Sequence, residues 1–333
     1  MVKYSRKTSI KVFTTKRCKM NFVKKNFKVI VIAAVLLCLL IVATFCDLAI
    51  SEAFVDLEIG KYYSKNPFAV FFEIFGEMPV YIVPSIALGV IFFYLKKISK
   101  LPDGIRLGVM IFIVVVSIGF NYYGSHKLIK YFNIHIADVF KGITRTLLEG
   151  ALVVIFAALW FFIASLLKKE HLKNGAICAL IVIFTTLFSQ VAVQLIKPLF
   201  GRARYRTMNA LCDFKEFTRW YEINIGKSVS DEQLAFGIEK DGYKSFPSGH
   251  TAAAAVTFSL MAIPKVFNLS KKSDYIITAA TCLLVAVVAF SRIVMGAHYL
   301  SDVTVGALIT LVCYFLAEVL VNKLLAKYSK KTE

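Results

Sequence analysis

Charged residues are scarce over long stretches of this sequence, and acidic residues are the scarcest. Of the 333 residues only 18% are charged, 58% are hydrophobic, and the mean hydropathy is +0.69. A soluble globular domain carries about a quarter of charged residues, so this composition excludes one and places much of the chain in lipid. No internal repeat or low-complexity linker interrupts the sequence, which favours a single helical membrane domain.

The sequence also lacks the patterns of a disulfide framework or a metal site. Most of the seven cysteines lie in apolar runs, where small hydrophobic thiols are common. Cys212 alone lies in a loop that we predict to be on the outer side of the membrane, and it has no outer partner for an intramolecular disulfide. No carboxylates and histidines cluster at metal-ligand spacing, so we predict no metal and no cofactor.

Apolar runs of the roughly 20 residues that cross a bilayer recur along the chain. They predict an all-α fold, a polytopic membrane helix bundle with about eight spans. The spans are expected near residues 29–50, 68–95, 106–120, 147–167, 175–196, 251–268, 275–291 and 303–321.

The net charge of +19 is explained by basic residues that flank the spans, so the expected partner is the lipid bilayer and not a nucleic acid. The first 28 residues are basic and contain no acid, which by the positive-inside rule makes this tail cytoplasmic. Counting spans from there places the carboxyl terminus on the same side. The loops 197–247 and 292–302 then lie outside.

Unusual polar residues are concentrated in three short segments at predicted outward helix ends. The first runs from Lys197 to Arg204, the second from Ser245 to Thr251, and the third from Ser291 to Asp302. The segments suit a phosphate monoester or diphosphate, because they combine fixed cations, an N-cap serine before a helix, a glycine that lets backbone approach, and two histidines. The candidate phosphate ligands are Lys197, Arg204, Ser248, Gly249 and Arg292.

Two histidines and a carboxylate complete the predicted chemistry. His298 and Asp302 are four residues apart, so they share a helix face if the eighth helix begins early enough, and the carboxylate can then hold the imidazole. One ring nitrogen of His298 is left free to attack phosphorus. His250 comes from a different helix start and is available to protonate the leaving alkoxide.

Each segment has an ordinary interpretation when it is taken alone. Lys197 suits an interfacial anchor, Pro-Ser-Gly before a helix is common cap chemistry, and a histidine beside a membrane is usually a hydrogen-bonded interface residue. Three such segments at successive outward helix ends, with complementary chemistry for phosphate, favour one site.

These segments resemble the type 2 phosphatidic acid phosphatase superfamily, which includes lipid phosphatases, glucose-6-phosphatase and the vanadium haloperoxidases. The family pattern is Lys, six residues, Arg-Pro; then Pro-Ser-Gly-His; then Ser-Arg, five residues, His, three residues, Asp. The chain departs from it only at Tyr205, which stands where the family has proline. The resemblance covers roughly residues 175–320.

The resemblance implies a six-helix core that needs no metal, with His298 as nucleophile, Asp302 orienting it, and His250 as general acid. It implies a phosphoric ester or diphosphate hydrolase that forms a phosphohistidine. The expected organisation is a basic cytoplasmic tail at 1–28, N-terminal transmembrane helices at 29–174, catalytic core helices at 175–321 and a cytoplasmic tail at 322–333. The active-site segments within the core are 197–250 and 291–302.

A site at the outer headgroup level favours a lipid substrate, and we expect the plasma membrane of a bacterium. Undecaprenyl diphosphate, phosphatidylglycerol phosphate and phosphatidate all fit the pattern. The alternatives are a soluble sugar phosphate, transfer of phosphate to another alcohol, a haloperoxidase and a non-enzymatic lipid-phosphate binder. Aromatic residues of the long outer loop suit either an interfacial lid over the headgroup or an anchor for the loop, namely Phe214, Phe217, Trp220, Tyr221 and Phe236.

Two glutamates stand out in the second predicted span. Glu73 and Glu77 are four residues apart, and charges are costly in lipid, so they face the bundle interior or lie near the outer interface; we favour the interface. His126, His135 and His171 match no motif and are interpreted as ordinary loop residues.

Overall fold

A computed structural model describes residues 22–331 of the chain, so the predicted basic tail lies almost entirely outside the described residues. Within that range the chain forms α-helices joined by short loops and three 3-10 helices, with no strand. The α-helices are α1 Phe22–Phe54, α2 Pro67–Phe75, α3 Pro79–Lys97, α4 Asp103–His135, α5 Gly142–Ser165, α6 Leu172–Phe200, α7 Tyr205–Leu211, α8 Asp231–Ala235, α9 Gly249–Ala255, α10 Ala262–Phe267, α11 Lys271–Val294 and α12 Leu300–Lys331. The 3-10 helices are Lys169–His171, Phe214–Glu216 and Val256–Met261.

Eight helical stretches of the described residues are long and apolar enough to cross a membrane. Each coincides with one of the eight predicted spans, so the predicted polytopic helix bundle is confirmed. Three of the spans are composite. Helices α2 and α3 form the second, a 3-10 helix, α6 and α7 form the fifth, and α9, a 3-10 helix and α10 form the sixth. The chain is an integral membrane protein.

The second span, predicted as one continuous run, is interrupted at residues 76–78. Pro79 begins α3 at a position where its missing N–H costs no hydrogen bond. Gly76 ends α2 in close contact with α11, because a Cβ at this position would lie 3.1 Å from Cγ1 of Val288. Hydropathy averaged over a window does not detect this break, which places Glu77 between two helices.

Helix α4 is longer than the predicted third span, which ended at residue 120. Polar residues beyond that point stay helical because they find partners inside the bundle, as when Asn121 Nδ2 donates to the Ser117 carbonyl at 2.8 Å. The loop assignment was therefore wrong for His126 and His135, which both lie in α4. The side chain of His135 is 3% exposed.

Small residues at the centre of the bundle bring the candidate site segments together. Residues 252–255 of α9 are alanines that are each at most 2% exposed. On the facing helix α12, a Cβ on Gly306 would lie 2.6 Å from the Ser248 carbonyl oxygen. Such small interfaces let helix backbones approach closely in membranes. The N–H of Ser248 accordingly donates to the Asp302 carbonyl at 2.9 Å, which ties the second segment to the third.

Helices that precede the predicted core also pack against it. Hydrophobic side chains of α1, including Ile32 and Leu36, contact the main buried cluster that contains Tyr314 and Val321 of α12. Helices α3 and α6 also pack closely along their lengths. The N-terminal spans are therefore part of the same bundle as the three polar segments.

Candidate active site

The three polar segments meet at one polar cavity of about 350 Å³. Five of the eight sequence-predicted site residues line this cavity: Lys197, Arg204, Gly249, His250 and His298. The other three do not line the cavity and are at most 1% exposed, namely Ser248, Arg292 and Asp302. Residues that are far apart in the sequence thus share one compartment.

His298 lies in the short connection between α11 and α12. Its Nδ1 is 2.6 Å from the carbonyl oxygen of Ser245. Because a carbonyl oxygen only accepts hydrogen bonds, Nδ1 must carry the proton, and Nε2 of the neutral ring then keeps a free lone pair. That is the state in which an imidazole can act as a nucleophile.

The carboxylate of Asp302 is farther from the ring than the sequence led us to expect. Its Oδ2 lies 3.8 Å from Nδ1 of His298, which is an ion-pair distance and too long for a hydrogen bond. Helix α12 begins at Leu300, so His298 precedes the helix and the two residues do not share a helix face. The direct contact to the ring nitrogen comes instead from the Ser245 carbonyl.

Burial lowers the pKa of His298 to about 3, and the nearby Arg204 acts in the same direction, while Asp302 partly opposes both. The ring is 1% exposed. The imidazole is therefore neutral at neutral pH, in agreement with the hydrogen bond to Ser245.

Asp302 is held by a buried network that the sequence did not indicate. Its Oδ1 accepts from Nη1 of Arg202 at 2.6 Å, and its Oδ2 accepts from the hydroxyl of Ser245 at 2.5 Å. Nη2 of Arg202 also donates to Asp47 of α1 at 3.0 Å, and Asp47 accepts from both the N–H and the hydroxyl of Ser301. Asp47 lies within the first apolar run of the sequence. Because charged residues inside spans seldom lack a partner, its position could have indicated a buried ion pair.

Two of the predicted phosphate ligands line the cavity as cations. Nζ of Lys197 donates to the Lys244 carbonyl at 3.2 Å. A Cβ on Gly249 would lie 3.8 Å from the same Nζ, so the ammonium lies beside the start of α9. The N–H of Arg204 donates to the Gly242 carbonyl at 2.9 Å, while its side-chain Nε has no hydrogen-bond partner among the described residues.

Ser248 caps α9 as predicted. Its hydroxyl oxygen accepts from the N–H of Thr251 at 3.3 Å and from the Thr251 hydroxyl at 3.1 Å. The cap fixes the direction in which Gly249 and His250 enter the cavity wall.

Arg292 is engaged by a glutamate of the second span. Its Nη2 lies 3.1 Å from Oε2 of Glu73, and its Nε and Nη1 have no hydrogen-bond partner among the described residues. The same carboxylate lies 3.4 Å from Nη1 of Arg206 and 3.6 Å from Nε2 of His135. Glu73 is 2% exposed, so it faces the bundle interior.

His250 is flanked by the break in the second span. Its Nδ1 lies 3.2 Å from Oε1 of Glu77, and its Nε2 lies 3.3 Å from the backbone carbonyl of Glu73. Glu77 also lines the cavity. Of the two positions considered for these glutamates, the structure places both side chains within the bundle.

Asp241 is an acid of the cavity wall that no sequence motif indicated. Burial raises its pKa, but the neighbouring Arg204 and Lys244 outweigh that effect and lower the pKa to about 2. The carboxylate stays ionised and offsets part of the positive charge around Lys197 and Arg204. Among the described residues, no three His, Cys, Asp or Glu side chains group so that they could hold a metal ion.

The aromatic residues singled out in the long loop 197–247 do not line the cavity. The ring of Phe217 packs edge-on against Tyr299 with centroids 5.5 Å apart, and Nε1 of Trp220 donates to the hydroxyl of Thr44 at 3.1 Å. Phe236 is 84% exposed. Phe217 and Trp220 therefore anchor the loop to the bundle, which was the second of the two interpretations.

Residues 178–325 match the family model described as PAP2 superfamily. A search of curated proteins and a search of solved structures gave no match. The matched segment contains all eight sequence-predicted site residues, whereas Asp47, Glu73 and Glu77 precede it. Residues 178–325, which include all three polar segments, are thus similar to the PAP2 superfamily.

Proposed function

We propose that this protein is a membrane lipid phosphatase that removes phosphate from a lipid phosphate or diphosphate through a phosphohistidine on His298. The match of residues 178–325 to the PAP2 superfamily supports phosphatase activity on phosphate esters. The observation that carries the finer proposal is the cavity of about 350 Å³ that two histidines and two cations line together, namely His250, His298, Lys197 and Arg204.

In the first half-reaction, Nε2 of His298 attacks phosphorus and forms an N–P bond while the P–O bond to the leaving group breaks. The electron pair of that bond goes to the leaving oxygen, which takes a proton from His250. Lys197, Arg204 and Arg292 offset the charge that the phosphoryl oxygens carry in the transition state. Ser245 fixes the attacking tautomer, since its carbonyl holds the Nδ1 proton of His298.

In the second half-reaction, a water molecule attacks the phosphorus of the phosphohistidine and gives its proton to His250. The N–P bond breaks, its electron pair returns to Nε2 of His298, and inorganic phosphate leaves. His250 thereby regains the proton it had lost. Because side-chain cations take the part that a divalent ion plays in other phosphatases, we expect full activity in excess EDTA.

The position of the cavity at the ends of membrane-capable helices supports a lipid substrate. The first segment lies at the carboxyl end of α6, the second at the amino end of α9, and the third joins α11 to α12. All three contribute residues to the site, so they lie at one end of the bundle. We propose cytoplasmic termini, a site on the outer face and the plasma membrane of a bacterium as location, on the basis of the basic residues at the opposite helix ends. Undecaprenyl diphosphate, phosphatidylglycerol phosphate and phosphatidate are the candidate substrates.

A substrate panel with purified protein in detergent tests the proposal. Phosphate release would be measured with the three lipid phosphates and with glucose 6-phosphate, in the presence and absence of an acceptor alcohol. We expect release from at least one lipid and a loss of at least about three orders of magnitude in His298→Ala. Release from the sugar phosphate alone, transfer to the alcohol in place of release, or unchanged turnover in His298→Ala would overturn the proposal.

A further inference from the structure

The break in the second span leaves a backbone carbonyl without a helical partner beside His250. In an unbroken helix the N–H of Glu77 would donate to the carbonyl of Glu73. Because α2 ends at Phe75, the Glu73 carbonyl is one of the last four of that helix and has no acceptor role within it. It lies 3.3 Å from Nε2 of His250.

The residue at the break contacts the other side of the same ring. Oε1 of Glu77 lies 3.2 Å from Nδ1 of His250, and Oε2 of Glu77 lies 3.4 Å from Nζ of Lys127. The lysine favours the ionised carboxylate. Since a carboxylate and a carbonyl oxygen both only accept hydrogen bonds, each ring nitrogen of His250 faces an acceptor, and both nitrogens donate when the ring is doubly protonated.

Charged groups of both signs surround His250, and the two anions among them favour a charged ring. The anions are Glu77, at the break, and Glu73 of α2, and the cations are Arg292 of α11 and Lys127 of α4. The ring of Tyr131, also in α4, lies 5.7 Å from the imidazole, centroid to centroid. The ring itself is 7% exposed.

We propose that Glu77 is a positioning residue for His250: it holds Nδ1 and favours the doubly protonated form that a general acid requires when it donates its proton. The inference rests on the proposed function, in which His250 protonates the leaving oxygen. It assigns a part in the reaction to the N-terminal half of the chain, since Glu77 lies outside residues 178–325.

The two contacts of His250 differ in what they allow. The Nε2 contact is to a neutral carbonyl, so a leaving oxygen can replace it and take the Nε2 proton as the P–O bond breaks. The Nδ1 contact is to a charged carboxylate and is the stronger of the two. Glu77 therefore keeps the second proton on Nδ1, and the neutral ring presents a basic Nε2 to the water of the second half-reaction.

A comparison of two leaving groups separates this role from a structural one. Single-turnover release of the alcohol would be measured for phosphatidate, whose alkoxide needs a proton, and for 4-nitrophenyl phosphate, whose phenolate does not. We expect Glu77→Gln to slow release from phosphatidate by roughly 10- to 100-fold and release from the aryl ester by less than about 3-fold. Glu77→Asp, which keeps the charge, should recover part of the loss with phosphatidate.

Glu149→Gln is the matched control. Glu149 is also a buried glutamate of the N-terminal half, 6% exposed, and it pairs with Arg145 at 2.9 Å and with His126 at 3.2 Å. It does not line the cavity, so we expect both rates to stay within about 2-fold of the wild type.

Two results would overturn the inference: equal slowing of both substrates in Glu77→Gln, or no slowing of either. If Glu77→Gln does not fold, equal slowing of both substrates in Glu77→Asp has the same meaning. A wild-type protein that releases neither alcohol would overturn the proposed function, and the inference with it.

Discussion

Replacing Arg202 with methionine tests the buried charge network behind the candidate nucleophile. The side chain is 1% exposed, and its guanidinium donates to Asp302 at 2.6 Å, to Asp47 at 3.0 Å and to the Thr218 carbonyl at 2.8 Å. The substitution leaves Asp47 and Asp302 buried without their shared cation. Methionine fills a similar volume, so the effect measures charge and not a cavity.

The expected size follows from the number of pairs that are broken. Removing one partner of a buried ion pair costs about 3 to 5 kcal/mol, because the other charge stays buried and uncompensated. Arg202 serves two carboxylates, so we expect at least the lower value. In a chain of this size that corresponds to a decrease in melting temperature of at least about 4 °C.

Thermal unfolding of the detergent-purified variants provides the assay. Arg202→Met/Asp47→Asn should melt above the single variant Arg202→Met, because it removes one of the two stranded charges. Arg219→Met is the matched control: this arginine is exposed and, among the described residues, its guanidinium donates a hydrogen bond only to the Tyr221 hydroxyl, so no shift is expected. A single variant that melts within about 2 °C of the wild type would refute the reasoning.

Other predictions concern pH, anion binding and the outer loop. Because burial lowers the pKa of His298 to about 3, single-turnover cleavage of an aryl phosphate should not fall between about pH 8 and pH 5; an acid limb near pH 6.5 would contradict this. The unfolded chain protonates His298 near pH 6.5, well above the folded chain, so stability should decrease as the pH falls from about 6.5 towards 3, and less steeply in His298→Asn. Arg204→Ala should weaken inhibition by vanadate by about 100-fold, measured as the inhibition constant; an unchanged constant would exclude Arg204 as a ligand. Trp220→Leu should lower the melting temperature through loss of the Thr44 hydrogen bond, yet leave turnover within about 2-fold of the wild type; a large loss of turnover would restore the lid interpretation.

The spans and the site segments could be predicted because their signals are local. Apolar runs of sufficient length mark the helices, and polar residues at the ends of those runs mark the three segments that line the cavity. The convergence of Lys197, His250 and His298 followed from counting spans, since the topology brings every second helix end to the same face.

The partners of these residues could not be predicted, because each depends on how helices pack. Asp47 and Arg202 are 155 residues apart in the sequence, and His250 and Glu73 are 177 residues apart. The expected hydrogen bond between Asp302 and His298 also failed for a geometric reason, since α12 begins after His298 and the Ser245 carbonyl occupies Nδ1.

The interruption of the second span at residues 76–78, which brings Glu77 to the cavity, could not be predicted from hydropathy. Gly76 and Pro79 lie within a run whose mean hydropathy is that of a continuous span, 2.0 in the structure. Helices α2 and α3 are distinguished only in the structure, where Gly76 contacts α11 and Pro79 begins a new helix.

Trapping of the covalent intermediate tests the central claim most directly. Rapid quenching of a turnover reaction under alkaline conditions, followed by digestion and mass spectrometry, would locate the transferred phosphoryl group. We expect it on His298 in the wild type and in Glu149→Gln, and nowhere in His298→Ala. Phosphorylation of any other residue, or rapid phosphate release with no trapped intermediate on His298, would contradict the account.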